Sequence, residues 1–322
     1  MTLQQPFTYK YKPKNLKDFH YDDEVINVIE TFIDMSSLSL LLVGNSGSGK
    51  SSLIQSIIRK YYGFDISIMH DNILSINTLK EQGISYYRNE VKVFCQTASI
   101  IYGKKKIVLL DDLDVINEQS QQVFRNCIDK YSDNVAFIAS CCNTQKVIDS
   151  IQSRMNIIKL KSPNMNQLKK IAEKIILHEN IKLRSKEVLD FICKVCNGSV
   201  RILVNYLEKF KLLDQTITLE LASHACTNIS YSELDKYTDF CQSNNLLKAI
   251  DVIDSLTVKG YAVTDILDSY FTYIKTTDKI VEDKKYAIVP LLCKYITVFH
   301  DVHEDDIELK FFTNELITIL TK

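Results

Sequence analysis

Short apolar runs alternate with amphipathic stretches through the first half of the chain. Each run spans four to six residues, which is too short for a helix, and the residues between runs carry apolar side chains at helical spacing. Parallel strands joined by crossover helices have this alternation. The predicted strands cover residues 39–43, 73–76, 107–110, 135–140 and 157–160. We therefore expect an α/β domain of residues 1–162 with a five-stranded parallel sheet and a ligand site at the carboxyl ends of its strands.

The pattern changes at Ser162, Pro163 and Asn164, after which only helical spacing continues. Residues 163–228 carry four short amphipathic segments, at 167–178, 186–196, 200–213 and 219–226, which predict a small helical domain. Residues 229–322 carry four apolar faces, which predict an all-α domain with its own core. The core positions predicted from these faces are Leu246, Leu247, Ile250, Ile253, Val263, Ile266, Leu267, Tyr270, Phe271, Ile288, Leu291, Leu292, Ile296, Phe312, Leu316 and Leu320.

Composition narrows the class of protein. The 322 residues are 46% apolar and 25% charged, which is ordinary for a globular chain of two or three domains. The net charge is −1, from 39 basic and 40 acidic residues, so nucleic-acid binding has to be local. The N-terminus lacks the apolar stretch of a signal peptide, and the longest apolar run, 40–43, is far below the roughly 18 residues of a membrane span. These features predict a soluble, intracellular protein.

The nine cysteines fit a reducing compartment. Their odd number and irregular spacing argue against a disulfide framework, so we expect most of them to act as small apolar side chains. Cys193 and Cys196 form a CxxC pair without a second pair at zinc-finger spacing. Buried thiols are therefore favoured there over a metal or redox site.

The segment GNSGSGKSSL, residues 44–53, is the strongest chemical signal. Three of the chain's 8 glycines lie within six positions here, between a predicted strand and a predicted helix that ends at Gly63. Residues without a Cβ atom let the backbone curl so that successive N–H groups face phosphate oxygens at a helix N-terminus. The residues predicted to bind a nucleoside triphosphate in this GxxxxGK[ST] pattern are Gly44, Asn45, Ser46, Gly47, Ser48, Gly49, Lys50 and Ser51.

Two side chains of this loop have specific expected roles. The Lys50 ammonium is expected to reach the β- and γ-phosphates, and the Ser51 hydroxyl is expected to bind Mg²⁺. The alternative is an ordinary Gly/Ser turn that happens to match the pattern. The flanking strand and helix favour binding of a nucleoside triphosphate, because that mechanism requires both of them.

A pair of carboxylates follows the apolar run at 107–110. Asp111 is placed to bind Mg²⁺ directly or through water, and Asp112 to orient the attacking water. Such a pair is also common in solvated turns, and its combination with the glycine loop favours the functional interpretation. Asn143 supplies a polar amide at the end of the next buried run.

Together these motifs resemble the AAA+ ATPases and, within them, the small subunits of the sliding-clamp loader, replication factor C. The resemblance also includes YKYKPKNLKDF at 9–19, SRM at 153–155 and GSVRILVNYLE at 198–208, in the family's order. It implies a P-loop AAA+ domain, then a helical lid at 163–228 and a helical collar at 229–322 through which subunits join into a ring.

The resemblance also implies roles for individual residues. Tyr11 belongs to the segment that packs near the adenine, and Asn143 is the sensor of the γ-phosphate or its water. Arg154 is the arginine finger that reaches the neighbouring subunit's ATP, and Arg201 senses the nucleotide of its own subunit. Without these motifs, the more common interpretation of either arginine would be an ordinary surface residue.

Two positions depart from the family pattern. Asp112 replaces the usual Glu and withdraws the carboxylate by about a bond length, a displacement that can slow catalysis about a hundredfold. Hydrolysis at this chain's own site is therefore expected to be slow. Met155 replaces Cys beside the finger, and this change leaves the arginine itself intact.

Local basic groups provide candidates for DNA contact. By the resemblance, these are Arg88 and Lys92 on the helix after Gly83, together with Arg125, and solvated helix faces are the alternative. Phosphate contacts of this kind are independent of base sequence and weaken with salt.

The sequence therefore predicts an ATPase that, with Mg²⁺ and other clamp-loader subunits in a hetero-pentamer, loads the sliding clamp onto primer–template DNA. One alternative is a structural subunit that binds nucleotide with little hydrolysis of its own. Another is a different AAA+ replication ATPase, which predicts a C-terminal winged helix. The expected compartment is the nucleus, or a cytoplasmic replication site if the chain is viral.

Overall fold

A computed structural model describes residues 5–63, 71–76, 84–226, 229, 231–277, 279–301 and 305–321. The chain forms two compact units. The first comprises Met1–His178 and Gly198–Glu208, and the second comprises Glu179–Asn197 and Lys209–Lys322. The division into three domains at residues 162 and 228 stays a prediction.

The first unit alternates strands and helices as the sequence predicts. In chain order its elements are α1 (Phe7–Lys10), α2 (Asp23–Asp34), β1 (Leu40–Val43), α3 (Lys50–Tyr62), β2 (Ile73–Ile76), α4 (Ile84–Gln96), β3 (Lys106–Leu110), α5 (Glu118–Tyr131), β4 (Val135–Cys141), α6 (Asp149–Gln152) and β5 (Asn156–Lys159). The helices that follow are α7 (Met165–Glu179), α8 (Lys186–Val195), α9 (Val200–Leu213) and α10 (Leu219–Cys226). Each predicted strand is present, with bounds that differ by one residue at most.

The five strands form one parallel sheet in the order β2-β3-β4-β1-β5. The strand β4 therefore lies between β3, which precedes it in the chain, and β1, which is the first strand. Parallel strands point their carboxyl ends to the same edge, so the segments that follow β1, β3 and β4 meet there. This confirms the predicted α/β fold and places the glycine loop beside the acidic pair.

Alternation along the strands distributes the core over both faces of the sheet. In β1, Leu40 and Leu42 pack with α2 and α3, whereas Leu41 packs with α4 and α5 on the opposite face. The strand β4 divides in the same way, with Ile138 on the first face and Phe137 on the second. A strand buried on both faces has to be apolar throughout, which explains the uninterrupted runs in the sequence.

The second unit continues with helices only in its described residues after 229. These are α11 (Tyr231–Gln242), α12 (Leu246–Val258), α13 (Val263–Thr276), α14 (Glu282–Asp301) and α15 (Asp306–Thr321). Their buried faces form one core that includes most positions predicted from the sequence. Leu247 is an error of that prediction, because its side chain is 77% exposed and Ala249 takes the buried position on α12.

The cysteines behave as the composition suggests. Seven of them are buried and all are free, whereas Cys142 and Cys293 are exposed. Burial raises the pKa of Cys196, which keeps that thiol protonated, and Cys193 nearby adds to this effect. No group of three or more His, Cys, Asp or Glu side chains in the described ranges is arranged to hold a metal ion. Nor does the described part of the chain contain a helix with the length and apolar character of a membrane span.

Two leucine substitutions test the C-terminal core. Leu316→Ala removes a fully buried side chain and is expected to lower the free energy of unfolding by about 2–5 kcal/mol, because a cavity remains. Leu247→Ala, on an exposed surface, is expected to change it by less than about 0.5 kcal/mol. Urea unfolding followed by circular dichroism measures both values. Equal losses in the two variants would contradict this assignment of the core.

Candidate active site

The glycine loop leaves β1 at Val43 and enters α3 at Lys50. Two of its glycines have positive φ angles, 74° at Gly47 and 106° at Gly49, which side chains other than glycine rarely adopt. A Cβ atom on Gly47 would lie 2.1 Å from Ser199 Oγ, so the loop and the start of α9 approach each other closely. The positive φ favours glycine at this position, and a Cβ would also require the Ser199 side chain to move.

Tyr21 supports the loop from outside. Its hydroxyl donates a 2.7 Å hydrogen bond to the backbone oxygen of Ser48, and its ring stacks on Phe19 at 5.5 Å. Burial raises the pKa of Tyr21, so the hydroxyl remains a proton donor at neutral pH. Tyr21 therefore fixes one wall of the loop.

The Lys50 side chain lies inside the loop and is 6% exposed. Its ammonium donates to the backbone oxygens of Gly44 at 2.7 Å and Asn45 at 3.1 Å. Its nitrogen is also 3.2 Å from Cys142 Sγ, which follows β4. A buried ammonium needs hydrogen-bond partners on all sides, and here the loop supplies most of them. The ammonium therefore lies against the loop backbone, and its contact with the phosphates stays a prediction.

Ser51 and Asp111 meet across the end of β4. The Ser51 hydroxyl donates a 2.8 Å hydrogen bond to Asp111 Oδ2, and the Ser140 hydroxyl donates to Asp111 Oδ1. Both Ser51 Oγ and Asp111 Oδ2 are hard oxygen donors, and their separation is close to the roughly 3 Å between adjacent ligands of an octahedral Mg²⁺ ion. The residues present therefore fit a magnesium site.

Asp112 adopts a left-handed backbone conformation, with φ of 54°, and its N–H donates to Ser140 Oγ at 3.1 Å. Burial raises the pKa of the Asp112 carboxyl, and the neighbouring charge of Asp111 raises it further. Lys50 and Arg201 oppose this shift through their positive charges. A carboxylate with a raised pKa is a better proton acceptor, which suits a residue that orients water.

The backbone of Asn143 is held by Asp114, the third carboxylate of the DDLD segment at residues 111–114. Asp114 Oδ2 accepts hydrogen bonds from the backbone N–H groups of Cys142 and Asn143, at 3.1 and 3.0 Å. The Asn143 side-chain oxygen accepts from Gln145 N at 2.9 Å. Within the described part of the chain, the Asn143 amide nitrogen makes no hydrogen bond. This donor is therefore available to an external acceptor.

Arg201 and Tyr11 are the other two residues predicted to contact the nucleotide of the same subunit. The Cβ atom of Arg201 is 3.5 Å from the position that a Cβ on Gly47 would take. The positive charge of its guanidinium lowers the pKa of the Asp112 carboxyl. Tyr11 packs edge to face against Phe7, with 5.4 Å between the ring centres. Its contact with adenine stays a prediction.

Arg154 makes its hydrogen bonds with other residues than those of the glycine loop and the acidic pair. Its Nε donates to Asp129 Oδ1 on α5, and its Nη1 donates to the backbone oxygen of Ser150 at 2.7 Å. Arg125 Nε lies 3.4 Å from the other oxygen of Asp129. The predicted finger and one predicted DNA contact therefore share a single carboxylate.

The other two predicted DNA contacts lie on α4. Lys92 is exposed, as a phosphate contact requires, whereas the side chain of Arg88 lies outside the described residues. Contact of Arg88, Lys92 and Arg125 with DNA stays a prediction.

Sequence reasoning missed several residues that shape this site. Tyr21, Ser140 and Asp114 support the loop, Asp111 and Asn143 respectively, and none was predicted. Asp114 and Ser140 left a signal, namely a third carboxylate in DDLD and a polar residue in an otherwise apolar run. Tyr21 left none, because its partner Ser48 lies 27 residues away.

Two family models match separate parts of the chain. Residues 40–162 match the family model of the ATPase family associated with various cellular activities (AAA). Residues 229–295 match that of the replication factor C C-terminal domain. Among solved structures, the chain resembles the Thermotoga maritima RuvB Holliday junction branch migration motor, with a TM-score of 0.55, 15% identity and coverage of 87% of this chain and 98% of that one. At this identity the likeness concerns the fold alone.

Curated relatives cover most of the chain. A probable replication factor C subunit 5 of Dictyostelium discoideum is 30% identical, over 92% of this chain and 84% of its own length. A putative replication factor C small subunit of Acanthamoeba polyphaga mimivirus is 29% identical, over 86% of each chain. A Methanococcus maripaludis replication factor C small subunit is 29% identical, over 89% of this chain and 90% of its own length. With both family models in order and the nucleotide loop assembled, the chain belongs to the replication factor C family and is an ATPase subunit of the clamp-loader type.

Proposed function

We propose that this chain binds ATP with Mg²⁺ at a joint with a neighbouring clamp-loader subunit. ATP binding would stabilise the ring that opens a sliding clamp on primer–template DNA, and hydrolysis would release the loaded clamp. The observation that carries the proposal is the Ser51–Asp111 hydrogen bond, which joins the glycine loop to the acidic pair. The expected setting is DNA replication, in the nucleus or at a cytoplasmic site of a large DNA virus.

On its own side of the joint, the chain supplies phosphate and metal ligands. The loop N–H groups and the Lys50 ammonium would bind the phosphates, and Ser51 and Asp111, which are already hydrogen-bonded to each other, would hold Mg²⁺. When bound, that ion neutralises charge that develops on the phosphates. Asp112 orients the attacking water and accepts its proton, and the Asn143 amide donates to the γ-phosphate or to that water. Arg201 contributes a positive charge from α9, and Tyr11 packs near the base.

On the other side of the joint, Arg154 of each chain serves its neighbour's ATP. Its hydrogen bonds support this, because within the described residues they go to Asp129 and Ser150 and not to Lys50 or Asp111. A guanidinium is suited to phosphate charge because it remains protonated and donates two parallel hydrogen bonds. Lys92, Arg125 and Arg88 would contact the DNA backbone, which agrees with a chain whose net charge is −1 and whose DNA affinity has to be local.

A second candidate, a subunit that binds ATP with little hydrolysis, is favoured by one observation. Asp112 is one methylene shorter than glutamate, and its backbone N–H is anchored to Ser140. The carboxylate therefore has little freedom to move towards the phosphate. The two candidates differ in whether ATP bound by this chain is hydrolysed.

The first test concerns the loop. Gly49→Ala places a Cβ atom 2.9 Å from the Tyr21 hydroxyl oxygen, in a backbone conformation that alanine disfavours. We expect the affinity for ATP to fall at least about tenfold, since the N–H groups of the loop turn away from the phosphates. Calorimetry with ATP and Mg²⁺ measures the affinity.

The matched control for Gly49 is Gly63→Ala. Gly63 also has a positive φ, but among the described residues no atom lies within 4 Å of its added Cβ. This variant is expected to bind ATP normally. If Gly49→Ala binds as tightly as the natural chain, the loop does not hold the phosphates.

The second test concerns the finger. Arg154→Ala in the reconstituted complex is expected to lower hydrolysis at the receiving site by about 10³-fold or more, because the transition-state charge loses its partner. Clamp- and primer-stimulated ATPase activity measures the effect, with all other sites disabled. Arg184→Ala, at an exposed arginine of the second unit, is the control and is expected to behave normally. An unchanged rate in Arg154→Ala would remove the proposed role in trans.

The third test separates the two candidate functions. Asp112→Glu is expected to raise single-turnover hydrolysis about tenfold, because the carboxylate regains its reach, and Asp112→Asn is expected to abolish it. Calorimetry should show similar ATP affinities for both variants. If both variants hydrolyse bound ATP at the rate of the natural chain, Asp112 is not the base. If the natural chain itself leaves bound ATP intact, the structural role is preferred.

A further inference from the structure

A single carboxylate on α5 lies between two guanidinium groups. Asp129 Oδ1 accepts a hydrogen bond from Arg154 Nε, and Oδ2 lies 3.4 Å from Arg125 Nε. The hydrogen bond from Arg154 lowers the pKa of the Asp129 carboxyl, and the charges of both arginines act in the same direction. Asp129 therefore carries its negative charge at neutral pH, and it provides the counter-charge for Arg154 in the described chain.

The way in which Arg154 is held leaves part of its guanidinium available. Nε is used by Asp129, and Nη1 donates to the backbone oxygen of Ser150 and lies 3.4 Å from Ser153 Oγ. Within the residues that the structure describes, Nη2 makes no hydrogen bond. Asp129 thus binds the group at its inner nitrogen, Ser150 and Ser153 contact Nη1, and Nη2 is the nitrogen that an external phosphate can contact.

The hydrogen bond between Asp129 and Arg154 also joins two separate segments of the chain. Asp129 lies on α5, and Arg154 follows α6, 25 residues later in the chain. The buried side chains Ile151 and Met155 anchor the backbone on either side of Arg154. The backbone is therefore fixed, and the long arginine side chain is the remaining source of freedom. A second attachment at Nε removes much of that freedom before a phosphate arrives.

From this geometry we infer that Asp129 is a positioning residue, which orients the Arg154 guanidinium for the ATP of the neighbouring subunit. The inference rests on the proposed role of Arg154 in trans. Asp129 touches neither the phosphate nor the water, so its effect is on the placement of the finger. The competing explanation is an ordinary surface ion pair, since the Asp129 and Arg154 side chains are 41% and 30% exposed and most such pairs have little measurable effect.

The experiment uses the reconstituted complex in which only the site that receives Arg154 can hydrolyse ATP. Asp129→Asn keeps the shape of the side chain and removes its charge. We expect kcat to fall about 10- to 100-fold with little change in KM, because a misplaced finger affects the transition state more than the bound substrate. Asp129→Glu, which retains the charge, is expected to recover most of the lost rate. The double variant with Arg154→Ala should be no slower than Arg154→Ala alone.

Asp133→Asn is the matched control, because Asp133 is an exposed aspartate just after the same helix. It should behave as the natural chain does, and the unfolding midpoint should be similar in all variants, since exposed ion pairs contribute little stability. If Arg154→Ala loses activity but Asp129→Asn does not, the positioning role is wrong and the trans finger stands. If Arg154→Ala is unchanged, both fail. If Asp129→Glu is as slow as Asp129→Asn, charge at this position does not orient the finger.

Discussion

The hydrogen bond between the Ser51 hydroxyl and the Asp111 carboxylate is the interaction on which the rest of the site depends. It joins the start of α3 to the end of β3, which are 60 residues apart in sequence and separated by β4 in the sheet. Three parallel strands bring their carboxyl ends to one edge, and Ser140 at the end of β4 holds the other oxygen of Asp111. The glycine loop, the Ser51–Asp111 pair and Asn143 occupy one region because the sheet order requires it.

Around this edge, a second set of contacts fixes the direction of each functional group. Tyr21 holds the loop through Ser48, and Asp114 holds the backbone before Asn143. Asp129 plays the corresponding role for Arg154 in our inference. In each case a polar side chain from a distant segment binds the backbone or the inner nitrogen of a functional residue, and the reactive end stays available. Catalysis by positioned charge requires such restraint, because small displacements weaken it strongly.

The positions of Arg201 and Arg154 relate ATP hydrolysis to the assembly of subunits. Arg201 acts on Asp112 within its own subunit, whereas Arg154 has its contacts with Asp129 and Ser150. If Arg154 serves a neighbour, as we propose, no single copy carries a complete site and hydrolysis depends on the ring. Arg125 shares Asp129 with Arg154, so a phosphate that binds Arg125 would also change the charge around the finger. Because the Asp112 side chain is shorter than that of glutamate, we expect slow ATP hydrolysis at the completed site.

The sequence by itself determined the strands, the glycine loop, the acidic pair and the family motifs, because periodicity and motif spacing are local properties of the chain. It was wrong at Leu247, since an apolar residue at helical spacing can still face solvent when Ala249 fills the buried position. Only the tertiary structure decided the supporting residues Tyr21, Ser140 and Asp129, whose partners lie 27, 29 and 25 residues away. Such contacts depend on how the strands are ordered and how the helices cross, and neither is encoded in any short segment.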